Sequence, residues 1–198
     1  HHPLKQLAER ITEYNAIAEI GEIARRYFAM NAFDGVLTII GVLMGNYAAK
    51  VTDPMIVVTT GLTTSVAIGI SGLWGSFLTE SAERKREIAE LSQSTLTDLR
   101  KSKIGKASRF AAIAVSLVDG LSPFFSSLVV LIPFFLADLF SNIRTVYFVS
   151  LAFALLVLFG LGIFLGKISK QSLVTMGFKT MTAGLLSIII GTFLRNTP

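Results

Sequence analysis

Two carboxylates stand in stretches otherwise built for lipid. Asp34 lies in the apolar run from Tyr27 to Ala49, and Asp119, again followed by Gly, repeats the pattern in a later run. A carboxylate inside a membrane span costs roughly 2.5–3.5 kcal/mol on insertion scales, so a chain keeps one for a purpose such as binding a cation or a proton. On a helical wheel Asp34 shares a face with Met30, Thr38, Gly41 and Gly45. Gly41-x-x-x-Gly45 lets another helix approach closely. Two partners fit: the next apolar run, which carries its own ladder of Gly61, Ser65 and Gly69, or a second subunit.

Asp119 belongs to a polar stripe with Ser116, Ser122 and Ser126. Pro123, four residues on, has no N–H to give to the Asp119 carbonyl. One residue then presents a carboxylate and a carbonyl, the oxygen ligands that hard and borderline divalent cations prefer. The alternative is a simple kink whose backbone the serines satisfy. Both aspartates lie roughly 10–14 Å into their runs at 1.5 Å per residue, so their depths agree and leave room for the two carboxylates to meet.

Three further features carry chemistry. Glu80, Glu83, Glu87 and Glu90 are spaced 3-4-3, which puts four acids on one helix face. Such a stripe requires cationic neighbours or a bound cation, and otherwise reads as a solvated face. Lys179, between Thr175 and Thr182, either pairs with an acid or extends to the interface. Leu4, Leu7, Ile11, Tyr14 and Ala18 recur at 3-4-3-4 spacing and predict an amphipathic helix. It either continues into the first apolar run as one long helix or lies on the membrane surface.

The elements that position these residues are five apolar segments, each long enough to cross a hydrocarbon core of about 30 Å. They are Tyr27–Ala49, Pro54–Thr79, Phe110–Ala137, Thr145–Gly166 and Ser172–Leu194. The chain has 198 residues, is 52% hydrophobic and has a mean hydropathy of +0.65, which excludes an ordinary soluble domain. Without cysteine, disulfides, thiolate metal sites and cysteine nucleophiles are excluded. The net charge of +5 is attributed to basic loops, not to nucleic-acid binding. With the N-terminus inside, fourteen Lys and Arg fall on the cytoplasmic side and only Lys50, Arg144 and Arg195 outside. That asymmetry predicts an N-inside, C-outside orientation. His1-His2 resemble a tag remnant, and the charged, helical N-terminal segment is not expected to be a signal peptide.

The fold class expected is an all-α integral membrane protein of five transmembrane helices, with a cytoplasmic helical insert between spans 2 and 3. Its parts are residues 3–26 (an amphipathic cytoplasmic helix), 27–79 (spans 1 and 2), 80–109 (the insert) and 110–195 (spans 3 to 5).

Ala-Phe-Asp-Gly-Val-Leu-Thr, residues 32–38, resembles the Ala-Asn-Asp-Gly-aliphatic-x-Ser/Thr signature of the vacuolar iron transporter family. Arg26 falls where that family has an Arg. The Glu80–Glu90 stripe stands where it has an acidic cytoplasmic metal-binding region, here shortened. Leu131-Ile132-Pro133-Phe134-Phe135-Leu136 resembles the end of its third span, and Lys179 falls near a basic position in its last. Where that family has a Met and a Gly-Glu pair in span 2, this chain reads Gly72-Leu-Trp-Gly75-Ser76-Phe77. The resemblance implies a homodimer that exchanges cytoplasmic Fe²⁺ or Mn²⁺ for protons, with Asp34 lining the path.

The expected metal ligands are Asp34, Asp119, Glu80, Glu83, Glu87 and Glu90, and the expected path is lined by Met30, Thr38, Ser122, Ser126 and Lys179. No resident cofactor and no enzymatic activity are expected. An intramembrane aspartyl protease would carry Tyr-Asp and Gly-x-Gly-Asp, whereas here the Asp precedes the Gly. The other reading is a non-transporting membrane protein that binds or senses cations through its cytoplasmic helix.

Overall fold

The computed structural model describes residues 3–195; the His1-His2 pair lies outside them, as do the side chains of Leu4 and Leu7. Six α-helices follow one another: α1 Pro3–Ala18, α2 Ile20–Ala48, α3 Pro54–Ser94, α4 Lys103–Phe135, α5 Ile143–Ser169 and α6 Leu173–Arg195. A short 3₁₀ turn, Ala137–Leu139, follows α4. There is no strand among the described residues. Helices α2 to α6 are long and apolar enough to cross a membrane.

The chain divides into two units, residues 1–28 with 70–121, and residues 29–69 with 122–198. Helices α2, α3 and α4 each contribute a segment to both.

The second unit holds the main apolar core. Val36, Ile39, Ile40 and Leu43 of α2 are fully buried against Val57 of α3, Val130 and Leu131 of α4, and Ala154 and Leu158 of α5. Four buried side chains at i, i+3, i+4 and i+7 make one continuous face of α2. Hydroxyls stitch the same core. Ser127 donates to Ser65 Oγ at 2.7 Å, and Ser150 donates to the Val130 carbonyl. Thr180 of α6 donates to the Leu158 carbonyl of α5 at 2.7 Å. Near the end of α2, Tyr147 packs edge-on to Phe134 and Tyr47 and donates to the Val51 carbonyl at 3.1 Å.

In the first unit, α1 rests on the start of α4. Tyr14 meets Phe110 with ring centroids 5.6 Å apart, and Lys103 Nζ reaches Glu13 Oε1 at 2.6 Å. Helices α1 and α2 are not one rod: Glu19 takes a left-handed φ of 49°, and Asn15 Oδ1 accepts the Gly21 N–H at 2.6 Å. That side chain supplies an acceptor that an unbroken helix would take from its own backbone, so the chain breaks at a non-glycine residue, Glu19. Of the two readings left open for this segment, the single long helix is therefore excluded, and α1 and α2 are separate helices.

The first part of the expected insert is helical, to Ser94. Residues 80–94 are no separate helix but the second part of α3, whose 41 residues run about 60 Å, twice a hydrocarbon core. Ser92 Oγ accepts the Leu99 N–H at 3.1 Å, and Asp98 accepts the N–H of Arg100 and two of its guanidinium N–H groups. The turn into α4 is thus closed by side chains. Arg100 holds the Asp98 carboxyl below its ordinary range, chiefly through its guanidinium hydrogen bonds.

Candidate functional site

Asp34 and Gly35 are neighbours that face different surroundings. Gly35 is buried where α4 crosses α2, and a Cβ built there would lie 2.5 Å from the Pro123 carbonyl oxygen and from Ser126 Oγ. Ser126 Oγ donates across the crossing to the Ala32 carbonyl at 2.9 Å. No residue but glycine fits there without moving α4. Asp34 is exposed, about 100° further round the helix.

Among the described residues, the face that carries Asp34 is largely open. Met30 is 58% exposed, Gly41 and Gly45 are exposed, and a Cβ added at either glycine would meet nothing within 4 Å. Thr38, half-buried, gives its hydroxyl to the Asp34 carbonyl at 2.8 Å. Asp34 makes no ion pair among the described residues. The ladder on α3 is used elsewhere: Gly61 packs on Leu131 and Ser65 on Ser127, both of α4. Of the two partners the sequence left open for Gly41 and Gly45, the α3 ladder is thereby ruled out.

Asp119 falls in the first unit and Asp34 in the second. Gly72 of α3 sits on the Asp119 carbonyl oxygen, 2.8 Å from a built Cβ, so α3 and α4 are in close backbone contact there. Ser122 is buried, and Ser126 serves as the α2–α4 clamp. Lys179 is exposed on α6, about 100° round the helix from the buried Thr180.

The acidic stripe has cationic neighbours. Arg84 Nε meets Glu80 Oε2 at 3.2 Å with both side chains largely buried, and Arg86 Nε meets Glu90 Oε1 at 2.9 Å in the open. Glu80 Oε1 also accepts the Tyr27 hydroxyl at 3.3 Å. Glu83 and Glu87 remain exposed. Each pair is spaced i, i+4, which returns a cation to a face the wheel assigned to acids alone. Among the described residues no three acidic or histidine side chains converge as a metal site would require.

Three residues were missed by sequence reading. Gly35 is explained by the crossing, Tyr27 by Glu80, and Ser76 is a buried hydroxyl without a hydrogen-bond partner. A small residue directly after an embedded acid was the available signal for the first. The other two depend on contacts between helices far apart in sequence.

No protein-family model matches the chain. Over 177 residues, 88% of this chain, it is 34% identical to "Uncharacterized protein MJ0645" of Methanocaldococcus jannaschii, of which the match covers 89%. At that identity over nearly the full length of both, the chain belongs to the same protein family as this archaeal protein.

Proposed function

We propose that this protein is a multi-pass membrane transporter of divalent cations such as Fe²⁺ or Mn²⁺, exchanging them for protons as a homodimer. The observation that carries the proposal is the outward face of α2. An exposed carboxylate, a thioether one turn before it and two open glycines lie along an apolar helix whose other face is fully packed. Facing lipid, Asp34 would incur the full cost of an embedded charge. A second copy packed on the glycines, as two-fold symmetry requires, would bring two Asp34 carboxylates to one seam. Two carboxylates near an axis would bind a divalent ion when ionised and protons otherwise, which is the minimal element of antiport. The resemblance of residues 32–38 to the vacuolar iron transporter signature supports the same substrate class.

The orientation we propose is N-inside, from the fourteen-to-three distribution of cations. Export from the cytoplasm is the direction that the resemblance to the vacuolar iron transporter family implies. The competing cation-sensing reading loses ground, because Glu80 and Glu90 are already paired with Arg84 and Arg86.

The test is flux of Fe²⁺, Mn²⁺ and Co²⁺ into proteoliposomes containing a pH-sensitive dye. Wild type should move metal in one direction and protons in the other, and Asp34→Asn should do neither. Metal transport by Asp34→Asn at the wild-type rate would sink the proposal.

A further inference from the structure

Within the second unit, α6 packs by one face. Gly177 and Gly184 are buried against Phe159 and Leu158 of α5, and a Cβ built at Gly184 would lie 2.5 Å from Leu158 Cδ1. Thr180, between them, gives its hydroxyl to the Leu158 carbonyl. The opposite face, about 180° round the helix, carries Thr175, Lys179, Thr182, Leu186 and Ile189 at 4-3-4-3 spacing, and all five are exposed. This face changes character along its length. It is polar and charged up to Thr182 and apolar at Leu186 and Ile189. A phospholipid lying beside the helix has the same profile, with its head towards the α5–α6 turn.

Lys179 is the group that calls for an occupant. The 23 residues of α6 run about 34 Å and a hydrocarbon core is about 30 Å thick, so the helix has little length to spare. Lys179 stands six residues after Leu173, about 9 Å along the axis. An extended lysine side chain spans roughly 6 Å, so its ammonium ends near the boundary of the core and not beyond it. It makes no hydrogen bond or ion pair among the described residues. Neither α5 nor α6 can supply a carboxylate, because no Asp or Glu follows Asp138 in the chain. Lys167 and Lys170, both exposed, flank the turn that leads into α6. Three cations therefore gather at one end of the α5–α6 pair without an acid on either helix. The anion that a bilayer offers at this depth is a lipid phosphate.

We propose that the outward face of α6 binds an anionic phospholipid, with the phosphate on Lys179 and an acyl chain along Leu186 and Ile189. Lys167 and Lys170 add attraction for net negative charge, which favours an anionic headgroup over a zwitterionic one. The packing of α6 holds the lysine outward. Gly162 of α5 lies against the Met176 carbonyl, 2.5 Å from a built Cβ, so α6 cannot rotate to bury Lys179 without breaking a backbone contact. Left facing acyl chains alone, Lys179 would carry the cost of an embedded charge, and a phosphate beside it removes most of that cost. This inference goes beyond the transport proposal. It rests on α6 crossing a membrane and not on any movement of metal.

The experiment is native mass spectrometry of the purified full chain in detergent, titrated with phosphatidylglycerol, with phosphatidylcholine or with inorganic phosphate. Wild type should retain phosphatidylglycerol in preference to phosphatidylcholine, and inorganic phosphate should leave the mass unchanged. Lys179→Met should weaken phosphatidylglycerol binding by about fivefold or more, the weight of one lysine at an anionic surface. Lys179→Arg should keep it, because the charge remains. Matching size-exclusion profiles serve as the folding control, and Lys179→Arg keeps the test decisive if Lys179→Met does not fold, since loss of the lipid preference in Lys179→Arg would count against a phosphate contact. Equal retention of phosphatidylglycerol by wild type and Lys179→Met would overturn the site, as would equal retention of the two lipids by wild type. Binding of inorganic phosphate as tight as that of phosphatidylglycerol would overturn the lipid assignment. Loss of a dimer mass in Lys179→Met, with lipid binding unchanged, would give this face to a second copy of the chain and overturn the proposal. Failure of the transport proposal would show separately, as wild-type vesicles that carry no metal.

Discussion

Asp34 and Gly35 divide two tasks between adjacent positions. The glycine lets the Pro123 carbonyl and Ser126 of α4 come against α2, and the rotation of one residue turns the aspartate out of that contact. The acid is thus held beside a close helix crossing, which fixes where its backbone stands. In transport, Asp34→Asn is expected to remove activity while the protein stays folded. Asn is nearly isosteric, and Asp34 makes no ion pair among the described residues whose loss could unfold it. What disappears is a charge–charge contact worth about 4 kcal/mol at an effective dielectric constant near 20, roughly a thousandfold in cation affinity. The measurement is metal flux alongside a size-exclusion profile that matches wild type. For the acidic stripe, Glu83 and Glu87 are the two acids left exposed and outside an ion pair. Changing both to Gln should lower calorimetric Mn²⁺ binding at least severalfold, whereas Glu90→Gln should have a smaller effect because Arg86 already competes for it. Unchanged binding in the double variant would make α3 beyond Thr79 a solvated face only.

At the scale of the element, α2 presents opposite faces with opposite sensitivities. Gly35→Leu should fail on packing. Its side chain would fall within van der Waals overlap of Pro123 backbone and cannot be relieved by a rotamer, so the cost belongs with overpacking, about 1–3 kcal/mol or more. Gly41→Leu with Gly45→Leu should leave the single chain intact, since nothing lies within 4 Å of either position, yet reduce the proposed dimer to monomers. The comparison is made by thermal unfolding and by mass in detergent. A Gly41→Leu/Gly45→Leu protein that remains dimeric would move the interface off this face. The break at Glu19 and the closed turn around Asp98 belong to the same scale. Each is decided by one polar side chain reaching a nearby backbone N–H, Asn15 to Gly21 and Asp98 to Arg100. Such local bonds compete with helix continuation, and the residues at the breaks themselves are neither Gly nor Pro: Glu19 and Leu96 take the left-handed φ.

For the whole molecule, the orientation is the prediction to test, and it rests on the distribution of Lys and Arg along the chain. Single cysteines introduced into the cysteine-free chain near Leu96 and near Asp53 should be labelled from opposite sides of the membrane, the first from the cytoplasmic side. Labelling of both from one side would overturn the arrangement of spans. The number and placement of the apolar helices were legible in the chain alone, because a run of about 20 residues that must satisfy its own backbone in lipid has the helix as its solution. The exposed face around Asp34 was legible too, since Met30, Asp34, Thr38, Gly41 and Gly45 are set by helical period. Which helix covers which face was not. That Gly61 and Ser65 meet α4 and not the Gly41–Gly45 seam, that Ser126 clamps Ala32, and that Tyr27 reaches Glu80 are pairings over long sequence separations. Small residues and hydroxyls suit many such pairings equally well in one dimension. Only the close packing of the folded chain, which admits one set of contacts at a time, selected among them.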